Sequence, residues 1–185
     1  MNTRTESARN TNHRQRGVTL IEACIVVAVT ALAATTAVPG MQELIDTRRL
    51  EGAATQLATD IQFIRTEAVA RNLPLRLSLH ASPGGSCYVI HSGAADQCNC
   101  DAGGPAQCRG DAREIKTVTV AGTDHVDLHG NVGSVLFDPL HGTASPTGTL
   151  RLLGTQGRAV HHVINVMGRV RSCSPQALAR GYRAC

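Results

Sequence analysis

The residues best suited to bind a charged partner lie near the C-terminus. Gly168-Arg169-Val170-Arg171 sets two guanidiniums on either side of a valine. Alternate side chains of an extended strand share a face, so Arg169 and Arg171 are expected to point the same way, about 7 Å apart. That is the spacing scale of successive phosphates along a nucleic-acid backbone. Gly168 permits a tight turn just before them. Arg180 and Arg183 follow, and no Asp or Glu occurs after Asp138, although Arg151 and Arg158 also fall in that stretch. The implied chemistry is bidentate binding of phosphate oxygens.

A second set is made of sulfur. Cys87, Cys98, Cys100, Cys108, Cys173 and Cys185 form an even set outside the N-terminal apolar segment, which itself holds Cys24. Cys98-Asn-Cys100 is tighter than the usual spacing of paired zinc ligands, so disulfides are the better reading than a four-sulfur metal site. An even set in a small exported domain points to an oxidising compartment. Six cysteines allow 15 pairings. One pair, Cys173 with Cys185, is expected to close the tail around 11 residues and hold Arg180 and Arg183 near Arg171. The histidines show no ligand spacing. His161 and His162 are adjacent, hence on opposite faces of a strand, and are expected at the surface or partly packed. No metal or cofactor is expected. No phosphate loop, Gly-x-Ser-x-Gly or paired catalytic carboxylates occur, so an enzyme is not expected.

The third candidate is a single carboxylate. Val18 to Val38 is 21 residues long with Glu22 as its only charge, and Pro39-Gly40 bounds it. As a helix it spans roughly 31 Å, about one hydrocarbon thickness. Arg4, Arg9, Arg14 and Arg16 precede it. Those arginines favour the cytoplasmic side, which sends the remainder of the chain outward. A carboxylate at membrane depth needs a partner. Cleavage between Gly17 and Val18 would create a new N-terminus with Glu22 as its fifth residue, and the new α-amino group would be available to pair with the Glu22 of a neighbouring subunit.

The elements that position these residues follow from periodicity. Residues 41–72 carry apolar positions at helical spacing, among them Leu44, Leu50 (or Ile45), Leu57, Ile61, Ile64 and Ala68, and Leu73-Pro74 ends the run. After Pro74 the period becomes two. Leu75–Leu79, Cys87–His91, Glu114–Ala121, Ser134–Phe137, Thr149–Leu153 and Ala159–Val166 read as strands, while 92–113 reads as a loop. With two Phe, two Tyr and no Trp, the core must be aliphatic, and a nucleic-acid binder relying on aromatic base stacking is not expected. The net charge of +4 sits largely in residues 1–17; without them 14 basic and 13 acidic residues remain.

Arg16-Gly17-Val18-Thr19-Leu20-Ile21-Glu22 resembles the processing site of type IV prepilins and type II secretion pseudopilins. Phe137-Asp-Pro-Leu-His-Gly142, Gly148-Thr-Leu-Arg-Leu152 and Val163 through Cys173 are similar to the C-terminal half of the FimT/GspH family. The resemblance implies an α+β pilin-like fold: a long N-terminal helix, half transmembrane and half amphipathic, packed on an antiparallel β-rich head. It implies a leader (1–17), a transmembrane helix (18–40) and an exported head (41–185). It further implies a prepilin peptidase that cuts after Gly17 and methylates Val18, assembly with other pilin subunits through Glu22, and residence in the inner membrane before incorporation into a pilus. In the FimT branch the glycine–arginine motif is associated with DNA binding in natural transformation. The implied function is therefore a minor pilin that captures DNA. The alternatives are a structural H-type pseudopilin of type II secretion, or a minor pilin for priming or adhesion.

Overall fold

The computed structural model describes residues 18–82, 84–100 and 104–185. The leader expected at 1–17, including Gly17, lies outside them. The chain divides into two compact units at Met41/Gln42.

Helix α1 runs from Leu20 to Arg71. It opens on Thr19, whose hydroxyl accepts the Glu22 backbone N–H at 3.3 Å, an N-cap interaction. Up to Met41 its described side chains are exposed although most are apolar. Their hydroxyls are satisfied within the helix: Thr30 donates to the Val26 carbonyl at 2.9 Å and Thr35 to that of Leu32 at 2.8 Å. An apolar sheath with internally bonded polar groups is what hydrocarbon demands. The helix continues through positions 39–40, so the amphipathic half continues the apolar half as expected. One proline removes a single N–H from the ladder and need not end a helix paired on both sides.

From Gln42 onward one stripe of the helix is buried: Leu50, Ala54, Leu57, Ile61, Ile64 and Ala68, at spacings of four and three. Leu44 and Ile45 were expected on this stripe, yet both are exposed. α1 ends in a Schellman turn: Asn72 takes the left-handed conformation (φ 51°), its N–H bonds the Val69 carbonyl, and the Leu73 N–H bonds that of Ala68. Pro74 then prevents continuation.

The strands are β1 (Leu75–Ser82), β2 (Gly85–Ser92), β3 (Cys98–Asn99), β4 (Gln107–Cys108), β5 (Glu114–Ala121), β6 (Asp127–Gly130), β7 (Ser134–Phe137), β8 (Ala144–Ser145), β9 (Gly148–Leu153), β10 (Ala159–Ile164) and β11 (Val170–Cys173). They form a five-stranded sheet, β5-β2-β1-β7-β8, a four-stranded sheet, β11-β10-β9-β6, and the hairpin β3-β4, with every ladder antiparallel. The main core joins the stripe of α1 to Leu75, Leu77, Tyr88, Ile90, Phe137, Leu150, Leu152, Val160 and Ile164. Burying each large aliphatic or aromatic side chain contributes about 1.5–3 kcal/mol, so this aliphatic interior stands in for the missing aromatics.

A smaller core lies on the opposite face of the first sheet. Cys87 and Val89 are covered by Cys98, Cys100 and Ala112 of the segment read as a loop. Disulfides Cys87–Cys100 and Cys98–Cys108 tie that segment down. β2 is thereby buried on both faces.

Candidate functional site

The basic site begins at Gly168, whose φ is 67°. A Cβ there would stand 2.4 Å from the Gly142 carbonyl oxygen and 3.0 Å from Arg65 Cδ. Only glycine tolerates both the conformation and the contact. The turn is closed by the Gly168 N–H on the Asn165 carbonyl, and by the Arg169 N–H on the Asn165 side-chain oxygen at 2.9 Å. It sets the register of β11 on β10: Val170 opposite Ile164, Arg171 opposite Val163, Cys173 opposite His161. Val170 packs against the main core, so the flanking Arg169 and Arg171 are turned outward and exposed.

The same alternation carries across the sheet. Arg151 on β9 stands opposite His161 on one side and His129 of β6 on the other. Leu150 and Leu152 face the core, which leaves Arg151 on the outer face with Arg171. Burial, and then the Arg151 charge, holds the pKa of His161 below the usual histidine range. Asp127 is the carboxylate on this face, at its far edge on β6. Arg151, His129 and His161 were not singled out from sequence as site residues. The leucines flanking Arg151 in Leu150-Arg-Leu152 were the available signal, because they decide which way it points.

The tail returns beside β11. Ser174 bridges Ala184, and the Ser174 N–H donates to the Arg183 carbonyl at 2.8 Å. Cys173 and Cys185 form a disulfide, and the Cys185 sulfur comes within 4.0 Å of His161 Nδ1. Arg180 and Arg183 are exposed on this loop. Among the described residues, no carboxylate pairs with Arg151, Arg169, Arg171, Arg180 or Arg183.

Arg158 is different. It is buried and donates to Glu43 Oε1 at 2.9 Å and to the Thr155 hydroxyl at 3.2 Å. The acid-free stretch thus contributes five free guanidiniums, the sixth being neutralised by a carboxylate on α1. His162 departs from the surface or partly packed position expected for it. It is fully buried, bonded to the Ser172 hydroxyl at 2.8 Å, and burial lowers its pKa to about 4.

Val18 and Glu22 stand at the exposed start of α1, and Cys24 carries a free thiol there. Cys87, Cys98, Cys100 and Cys108 are all committed to the two disulfides over the first sheet. Beneath that cover the Ser78 hydroxyl meets His91 Nε2 at 2.8 Å, and His91 Nδ1 lies 2.9 Å from the Ser92 carbonyl. The carbonyl can only accept, so Nδ1 carries the proton and Nε2 accepts from serine. Both side chains are sealed from solvent, and burial holds the His91 pKa down. The pair satisfies buried polar atoms and offers no access to a substrate.

The sequence family described as type II transport protein GspH matches residues 53–168. The chain belongs to the GspH family. It is accordingly a minor pilin or pseudopilin, a structural subunit that assembles with other pilin subunits. The family match ends at Gly168, so Arg169, Arg171 and the disulfide-closed tail lie just beyond it. Among curated proteins none matches this GspH-family sequence. Among solved structures it is similar to the minor pseudopilin EpsH from the Type 2 Secretion System of Vibrio cholerae, at 11% identity and a TM-score of 0.49, over 69% of this chain and 98% of that one.

Proposed function

We propose that this GspH-family subunit is a minor pilin that binds DNA through the outer face of its four-stranded sheet. The observation that carries the reading is the set of five unpaired arginines, 151, 169, 171, 180 and 183, on and beside β9 and β11. Such a face makes a local positive field on a head whose overall charge is nearly neutral. It has no groove-reading helix and no exposed aromatic platform, so its contacts are to phosphates and carry little sequence preference.

The remaining parts serve delivery. The apolar half of α1 has the length and composition to cross a membrane. In this reading it anchors the protein in the inner membrane with the head in the periplasm. Prepilin peptidase cuts between Gly17 and Val18, and Glu22 pairs with the new α-amino group of a neighbour as the subunit enters a pilus. A structural H-type pseudopilin without DNA binding is the competing reading, favoured by the secretion description of the matched family.

Fluorescence anisotropy with duplex DNA at several salt concentrations separates the two, using the head unit Gln42–Cys185, which holds its own core. Affinity should fall with a log–log slope near −0.9 per phosphate neutralised. Arg169→Gln with Arg171→Gln should flatten that slope by roughly two units. Absence of binding at low salt, or equal binding by both proteins, decides for the structural pseudopilin. The N-terminal mass of membrane-extracted protein checks processing, with Val18 expected as the first residue.

A further inference from the structure

The exposed histidines of the head differ in what they face. His125 lies 3.3 Å from Asp46, and His141 lies 3.1 Å from Asp138. Among the described residues, His129 and His161 have no such carboxylate partner. They face a cation instead. Strand register places His129 of β6 and His161 of β10 directly opposite Arg151 of β9, one on each side. Neighbouring strands are about 4.8 Å apart, so the row His129–Arg151–His161 spans about 10 Å across the outer face. Cys173 ends the row on β11, and Arg171 stands two residues from it on the same face.

In the free head this row works against itself. Each imidazole, once protonated, meets the like charge of Arg151. Burial of His161 and the Arg151 charge together favour its neutral form. An anion reverses the balance. A phosphate seated on Arg151 cancels the repulsion, and its oxygens accept hydrogen bonds that only protonated imidazoles donate from both ring nitrogens. Binding is then coupled to the uptake of protons.

The surroundings leave that coupling to the row itself. On the β11 side of His161 stand Cys173 and the Cys185 sulfur, joined in a disulfide that does not titrate. The terminal carboxylate of Cys185 pairs with no cation among the described residues. Behind His161, the buried His162 has a pKa of about 4 and is neutral above pH 6. On β6, Asp127 shares the face with His129 and stands opposite Leu153. β1 and β2, packed against β6, present Leu79 at Gly130 and the Ser86 hydroxyl at Leu128, neither of them charged.

We propose that His129 and His161 are proton-dependent phosphate ligands flanking Arg151, so that the outer face grips the DNA backbone more tightly as pH falls. The inference rests on the DNA-binding reading and adds two ligands to its five arginines. Towards neutral pH and above, the arginines bind alone. In a more acidic medium the row supplies three positive charges, and a return to higher pH weakens the grip without any change of fold.

The test uses the full chain in uncharged detergent micelles and a short DNA duplex, at constant low salt, between about pH 8 and about pH 6. Arginines keep their charge over this range, so those of residues 1–17 cancel in the comparison. A rise of one unit in a histidine pKa on binding gives up to about tenfold in affinity, so the unaltered chain should bind about tenfold more tightly at the acid end. His129→Gln with His161→Gln should match it at the alkaline end and lose the gain. His161→Arg should raise affinity at the alkaline end, because its charge is permanent. By NMR, the His161 ring should titrate at higher pH with DNA bound than without. His125→Gln with His141→Gln should keep the gain. Binding of equal strength at both ends, or a gain that survives in the His129 and His161 double variant, overturns the proposal and leaves the arginine reading standing. A gain lost equally in the His125 and His141 variant overturns it too, by assigning the effect to net charge. Absence of binding at every pH overturns both this proposal and the DNA-binding reading.

Discussion

The outer faces of the two sheets have opposite fates. On the five-stranded sheet, Cys87 and Val89 are roofed by a segment held by two disulfides, and even the polar Ser78 and His91 are sealed beneath it. On the four-stranded sheet, Arg151, Arg171 and His129 stand open to solvent with no cover. The difference follows from what each face offers water. Apolar strand residues must be buried against something, and this chain supplies the 92–113 segment. Guanidiniums are better left hydrated until an anion replaces the water. Covering one face therefore stabilises the head, and leaving the other open makes it available for binding.

The largest effect should come from removing the roof. Cys98→Ala with Cys108→Ala opens a loop of ten-residue separation. The chain-entropy model assigns about 3 kcal/mol to a loop of that size. Water reaching Val89 and the Ser78–His91 pair should add to the loss. Urea unfolding of the head should read this, with DNA affinity at low temperature unchanged. A loss in DNA affinity matching the loss in stability would show the two faces to be energetically coupled.

An intermediate effect is expected from pH. His161 and His162 are neighbours on β10, one on the open face and one in the core. The pKa of His162 is about 4 in the folded protein, against the ordinary 6.5 when unfolded. The unfolded chain thus binds the proton first. This contribution to stability is fully present above pH 6.5 and is lost as pH falls towards 4, amounting to about 2 kcal/mol at pH 5. Melting of His162→Gln should lose part of that pH dependence, whereas His161→Gln should keep it.

The smallest effect sharpens the extent of the open face. Arg151→Gln leaves Arg169 and Arg171 in place and touches no ion pair among the described residues. If the whole face contacts DNA, the salt slope should fall by about one unit. An unchanged slope would confine binding to β11 and the tail.

Several features were legible from local pattern because their causes are local. The helical stripe from Leu50 to Ala68 and its end before Pro74 follow from spacing and from the backbone of the pre-proline residue. The period of two marked β1, β5 and β9, although it did not say which alternate set faces inward. On β5 that set is Lys116, Val118 and Val120, because only that side meets α1 and the Asp60 carboxylate. The motif Gly168-Arg-Val-Arg171 announced a turn and two arginines sharing a face, and valine between them is what points both outward.

What the tertiary structure alone decided depended on residues distant in the chain. Arg158 read as one more cation in an acid-free stretch until Glu43, from α1, came to neutralise it. Arg151 joined the basic face only when β9 and β10 set its register opposite His161. The hairpin β3-β4 and the pairing of Cys87 with Cys100 turned an apparent loop into the roof of a second core. Spacing along the chain prescribes an element and the alternation of its side chains. Whether a charge is free, a face is open or a sulfur has a given partner is settled by what long-range packing brings within a few ångströms.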